Sequence, residues 1–110
     1  MSRHYHSLLN VLTSAAFSYA KSSYHQDEAD PTPTITGTPG GVFVGTTGTI
    51  FVDSGTNTAS STGQIDLSAS TIDSHIITYT VGGVQANQTV GITASPFLVN
   101  TYSMEFDGTN

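Results

Sequence analysis

Ser61-Thr62-Gly63-Gln64-Ile65-Asp66-Leu67-Ser68-Ala69-Ser70-Thr71, then Ile76-Ile77-Thr78-Tyr79-Thr80-Val81, lie within residues 60–94, the stretch that decides the fold. In the first run Ile65, Leu67 and Ala69 alternate with Gln64, Asp66 and Ser68, a period of two. In the second, Ile77, Tyr79 and Val81 take one face while Thr78 and Thr80 take the other. After the turn-rich Gly82-Gly83 pair, Thr89-Val90-Gly91-Ile92-Thr93-Ala94 alternates again. These runs predict neighbouring strands of a small β-sandwich. They specify a fold, not a reaction.

Upstream the same rhythm continues. Thr34-Ile35-Thr36, a Gly37-Thr38-Pro39-Gly40-Gly41 turn, Val42-Phe43-Val44 and Ile50-Phe51-Val52 follow in order, with turn signals every eight to twelve residues or so. That spacing predicts an immunoglobulin-like antiparallel β-sandwich over residues 34–96. There is no Cys and no Trp, so the hallmarks of antibody domains are missing.

Residues 1–25 read differently. Tyr5, Leu8, Leu12, Ala15 and Tyr19 recur at steps of three and four, flanked by Leu9, Ala16 and Ala20. Ser7, Asn10, Ser14, Ser18 and Lys21 form the opposing polar stripe. The spacing predicts an amphipathic α-helix that needs a partner for its apolar face, with a short coiled-coil seam also compatible. Tyr5, Leu8, Leu9, Leu12, Ala15, Ala16, Phe17 and Tyr19 are the expected assembly interface. Packing of that helix on its own sandwich is the plainer alternative. Arg3 and the apolar run of residues 8–17 imitate a secretory leader, but Asn10, Thr13 and Ser14 interrupt it, so the segment is read as retained. It is too short and too polar to cross a membrane.

Between helix and sandwich, residues 26–33 contain Asp27, Glu28, Asp30, Pro31 and Pro33, the composition of a stiff acidic linker. The Asp27-Glu28-Ala29-Asp30 spelling of a helicase box has no phosphate-binding loop to accompany it. Residues 97–110 carry Phe97-Leu98-Val99 and Met104-Glu105-Phe106, strand-like again, and then the turn signal Asp107-Gly108. They read as a linker and the first strand of a following domain in a longer product.

Charge narrows the function classes. Two basic residues, Arg3 and Lys21, face eight acidic ones among 110 residues, for a formal net charge of −6. From Ser22 onward there is no Lys or Arg, so neither nucleic acid nor an anionic membrane surface is an expected partner. The small apolar core favours support from neighbouring subunits, hence a homo-oligomer.

Phrases within residues 33–95 resemble the bacterial immunoglobulin-like (polycystic-kidney-type) repeats of surface adhesins and phage fibres. They are Pro33-Thr34-Ile35-Thr36-Gly37-Thr38-Pro39-Gly40-Gly41-Val42-Phe43, residues 61–71 and Ile77-Thr78-Tyr79-Thr80-Val81-Gly82-Gly83. Ile72-Asp73-Ser74-His75 departs from the Gly-containing turn more common there. Tyr102-Ser103-Met104-Glu105-Phe106-Asp107-Gly108-Thr109-Asn110 is similar to the opening strand of a concanavalin-like lectin domain. A helix, an immunoglobulin-like module and a lectin-like start resemble the layout of virion appendage proteins of marine tailed phages. The resemblance implies a structural, non-enzymatic virion protein. It would be anchored to other virion proteins at its N-terminus, with a distal part directed at a host-surface glycan. A bacterial cell-surface adhesin or carbohydrate-binding module is the other class, in which the sandwich spaces a lectin domain.

Candidate chemistry is sparse. Ile50-Phe51-Val52-Asp53-Ser54-Gly55-Thr56 carries the spelling of an aspartic protease, in which two carboxylates from two subunits share one proton. No downstream bracing segment accompanies Asp53, and Asp-Ser-Gly is ordinary at a strand end. His4 and His6 sit two apart, on different sides of a helix, with His25 and His75 elsewhere; no metal is expected from them. Asp27, Glu28 and Asp30 lack the spacing of a calcium-binding hand. Asn87-Gln88-Thr89 spells a glycosylation acceptor. No cofactor is called for.

Overall fold

The computed structural model describes residues 12–95. The protein is mainly β, built of two sheets, with no helix among the described residues. Six strands follow in order: β1 (Phe17–Ser18), β2 (Ser23–His25), β3 (Thr34–Ile35), β4 (Val42–Gly45), β5 (Asp73–Val81) and β6 (Val84–Thr93). One sheet has the order β2-β6-β5-β4, and a second pairs β1 with β3.

The β5–β6 hairpin is the longest pairing, running from Asp73 opposite Ile92 to Val81 opposite Val84. Its two-residue turn needs positive φ at both central positions. Gly82 and Gly83, at 57° and 83°, adopt it without the Cβ clash any other residue would meet. β4 adds antiparallel to β5, with Phe43 opposite Tyr79. β2 adds parallel to the far end of β6, with Tyr24 opposite Ile92. Tyr24, Phe43, His75, Ile77, Tyr79, Val81, Val90 and Ile92 are all buried on one face of this sheet.

The second layer is β1 antiparallel to β3, Phe17 opposite Ile35. The pairing is prolonged by Thr36 N–H and Gly37 N–H donating to the Ala16 carbonyl at 3.0 and 2.9 Å, and Thr38 N–H to that of Ser14 at 2.7 Å. The layer continues through Ile65 N–H to the Pro31 carbonyl at 3.1 Å and an antiparallel bridge between Phe51 and Ile65. Between the layers Phe17 meets Phe43 edge-on at 5.3 Å and Tyr79 at 5.9 Å, while Phe43 and Tyr79 lie 4.6 Å apart. Edge-to-face contacts of this kind add to area burial because ring edges are positive and faces negative. The Tyr79 hydroxyl donates to the Thr38 carbonyl at 2.6 Å and accepts from Gly41 N–H at 2.9 Å, so the same ring holds the turn before β4.

Several expectations are corrected. Residues 12–25 do not form a helix: they supply β1 and β2. Ala15 and Phe17 are buried, Tyr19 is half-buried, and Ala16, Ser18 and Ala20 are exposed. That is alternation with period two, and pairing with β3 and β6 rewards it. Tyr5, Leu8 and Leu9 lie outside the described residues, as do His4, His6 and residues 97–110. Residues 61–71 form a turn-containing loop, not a full strand. Ile65 and Leu67 are buried as read, but Ala69 is exposed because Ala69 N–H and Ser70 N–H both fold back onto the Asp66 carbonyl. Ile50-Phe51-Val52 contributes only the Phe51 bridge. β6 starts at Val84, five residues earlier than read, since Gln85-Ala86-Asn87-Gln88 is strand whose polar side chains break the apolar alternation, Gln88 Nε2 donating to the Phe17 carbonyl at 3.0 Å. β5 likewise takes in Asp73-Ser74-His75.

Phe17→Ala removes the ring that joins the layers. It is expected to cost about 3–5 kcal/mol, read as a lowered urea midpoint with an unchanged slope.

Candidate functional site

The Asp-Ser-Gly segment caps a loop. Asp53 follows the Phe51 bridge, and both of its carboxylate oxygens are engaged. Oδ1 accepts from Ser60 Oγ at 2.8 Å. Oδ2 accepts from Ser61 N–H at 2.9 Å, Ser61 Oγ at 3.1 Å and Thr62 N–H at 3.4 Å. Desolvation raises the pKa of this group, but the four donors together overcome it and hold it at about 2. Its partner Ser60 is buried and bridges back to Phe43 through two backbone hydrogen bonds, so Asp53 ties the loop to β4. The Ser60-Ser61-Thr62 run was the available sign, since short hydroxyl residues in series commonly cradle a carboxylate through side-chain and backbone donors.

His75 is wholly buried on the inner face of β5. Its Nε2 lies 2.8 Å from the Thr71 carbonyl, which can only accept, so the proton is assigned to Nε2. Nδ1 then accepts from the buried Thr49 hydroxyl at 2.9 Å. The imidazole satisfies two polar groups inside the core. Sequence reading missed Thr49, whose burial comes from tertiary packing.

The acidic stretch after β2 does not gather its carboxylates. Asp27 Oδ2 accepts from Ser95 Oγ at 2.8 Å. Glu28 pairs with Lys21 Nζ and accepts from His25 N–H at 2.8 Å; the Lys21 contact, then that amide, hold its carboxyl below the ordinary range. Asp30 Oδ1 accepts from Leu67 N–H at 2.9 Å. Three partners in three directions leave no common cation site. Among the described residues no group of three or more His, Asp or Glu side chains is placed to hold a metal. His25 instead meets Thr93 Oγ1 at 2.8 Å.

Of the expected assembly residues, Ala15 and Phe17 are spent in the core. Tyr19 packs against the core and donates its hydroxyl to the Gly63 carbonyl at 2.6 Å. Burial, and secondarily Tyr24, push that phenol well above its ordinary pKa, so it stays a neutral donor. Ala16 is exposed, and Leu12 is 87% exposed. A shallow cleft of about 160 Å³ lies between residues 19–22 and Gln88, Thr89 and Val90, smaller than pockets that enclose organic ligands. Asn87 is exposed on β6, its amide oxygen accepting from Thr78 Oγ1 at 2.8 Å. No helix among the described residues is long and apolar enough to cross a membrane. Comparison of the chain with protein-family models, curated proteins and solved structures gives no match.

Because Asp53 is depressed from about 3.8 to about 2, its contribution to stability is complete above the higher value and lost as pH falls through the lower one. Asp53→Asn is therefore expected to lower the melting temperature at neutral pH by a few degrees, and to narrow its distance from wild type between pH about 4 and about 2. Thermal melts across that window check it.

Proposed function

We propose that this chain is a structural, non-enzymatic module with an immunoglobulin-like sandwich, serving as a spacer in a virion appendage that reaches toward the host surface. The sandwich assignment is supported by strand order: β4, β5 and β6 lie as the C, F and G strands of such a fold, and β1 beside β3 as A beside B. The bridge between Phe51 and Ile65 stands where D and E would pair.

The observation that carries the spacer reading is where the chain enters and leaves. Thr13 lies beside Gly82 at the tip of the β5–β6 hairpin. Ser95 bonds Asp27 just past the opposite end of β6. Those ends are separated by a ten-residue strand, about 30 Å at 3.3–3.4 Å per residue. A module whose chain enters at one pole and leaves at the other transmits position along a fibre. Asp30, Asp53 and Asn57 hold its loops. With Ala15 and Phe17 committed to the core, attachment to other virion proteins falls to Tyr5, Leu8 and Leu9, continued by exposed Leu12.

The Leu8→Asp/Leu12→Asp double variant tests this on purified particles. It is expected to reduce incorporation at least about tenfold, about 1.4 kcal/mol of lost association, while the melting temperature of the isolated protein is unchanged. Wild-type occupancy of the variant on particles would refute the anchor. Binding of the chain to glycans or cells, with no copies on particles, would favour the surface adhesin or carbohydrate-binding class.

A further inference from the structure

In an antiparallel ladder, residues alternate between those bonding the neighbour and those turned away from it. Gly91 N–H donates to Ser22, and the Thr93 carbonyl accepts from Gln26, so the odd-numbered residues of β6 face away from β5. Gln85, Asn87 and Thr89 therefore present their N–H and C=O groups at the sheet edge. β2 pairs with β6 only from Gly91 to Thr93. Among the described residues no backbone group bonds these three from the open side, and all three are exposed.

Open edges are normally guarded by Lys, Pro, a bulge or a covering element, because they template strand addition. Here the register runs without a bulge from Val84 to Ile92, and the open residues include no Lys and no Pro.

We propose that this edge pairs with the same edge of a second copy of the chain, antiparallel about a twofold axis. Charge selects the partner. Residues 74–95 contain no Asp, Glu, Lys or Arg, while the chain carries a formal net charge of −6. Asp27, Glu28, Asp30, Asp53, Asp66 and Asp73 all lie outside that span. Two acidic copies can meet here without placing like charges opposite one another. A basic partner would be drawn to those carboxylates instead. Gln, Asn and Thr side chains each both donate and accept, so the strand is self-complementary, as a twofold contact requires. The outer sheet face beside it, with Val42, Val44 and Ile76 partly exposed, continues across both copies. Residues 19–22, flanking Gln88, Thr89 and Val90, and the Phe17 carbonyl, which accepts from Gln88 Nε2 at 3.0 Å, limit the pairing to the hairpin end, at Gln85 and Asn87. The edge does not depend on the appendage reading, and its test needs no particles.

Sedimentation of the full chain over a concentration series, with amide exchange followed by NMR, tests the pairing. The mass should double as concentration rises. The Gln85 and Asn87 amides should exchange freely in the monomer and about tenfold more slowly in the dimer. Asn87→Pro deletes an N–H that no described strand uses, and Asn87→Lys adds a guard charge. Each loses the exposed bond from Thr78, and each should abolish doubling while the monomer melts near the wild-type temperature. Should the proline variant misfold, the lysine variant decides. A wild-type chain that stays monomeric throughout, or variants that dimerise undiminished, would overturn the proposal. So would Gln85 and Asn87 amides already slow in the monomer, since the chain's own residues would then cover the edge.

Discussion

The contact of the Phe17 ring with Phe43 and Tyr79 is the constraint on which the rest of the structure depends. β1 and β3 are two residues each and pair only with one another as strands, far too short to persist on their own. They persist because Phe17 is inserted against the sheet that carries Tyr79 and Phe43. Tyr79 in turn holds both sides of the turn before β4 through its hydroxyl. One aromatic cluster thus binds the N-terminal strand, the long hairpin and the loop between β3 and β4. A small domain with no disulfide has few other ways to fix so many short pieces.

Around that cluster, polar side chains take the place of regular strand pairing. The loops between β3 and β5 are short on backbone ladders and long on side-chain ties: Asp53 to residues 60–62, Asp30 to Leu67, Ser70 Oγ accepting from Ile50 N–H at 2.9 Å, and Asn57 Nδ2 to the Gly45 carbonyl at 2.9 Å. Where the residue met is buried, as at Ser60 and Leu67, a polar group left unpaired would cost about 1–3 kcal/mol. The abundance of Ser, Thr, Asn and Asp in this chain is in good part the chemistry of its loops.

What could be read from the sequence was the part fixed by local periodicity. Ile77, Tyr79 and Val81 face inward and Phe43 is central to its strand, because alternation along a half-buried strand has one solution. Residues 12–25 resisted for an identifiable reason. Ala15 and Tyr19 fit a helical stripe and, with Phe17, also fit alternation. Only the partners β3 and β6, distant in sequence, decide between those periods. The run from Gln64 to Ala69 failed halfway, where Asp66 folds a turn whose signal lies in side-chain chemistry. Among candidate sites, Asp53 was legible as a residue of interest, but its role was not, since that rests on four donors brought together by folding. Thr49 and His75 bond each other across 26 residues of chain, a pairing no window of sequence contains.

Carbon chemical shifts and inter-ring NOEs on the isotope-labelled chain test the central claim most directly. Extended shifts at residues 17–18 and 23–25, with NOEs from Phe17 to both Phe43 and Tyr79, are the expected result. Helical shifts through residues 12–25, or a Phe17 ring with no NOE to either partner, would contradict the account.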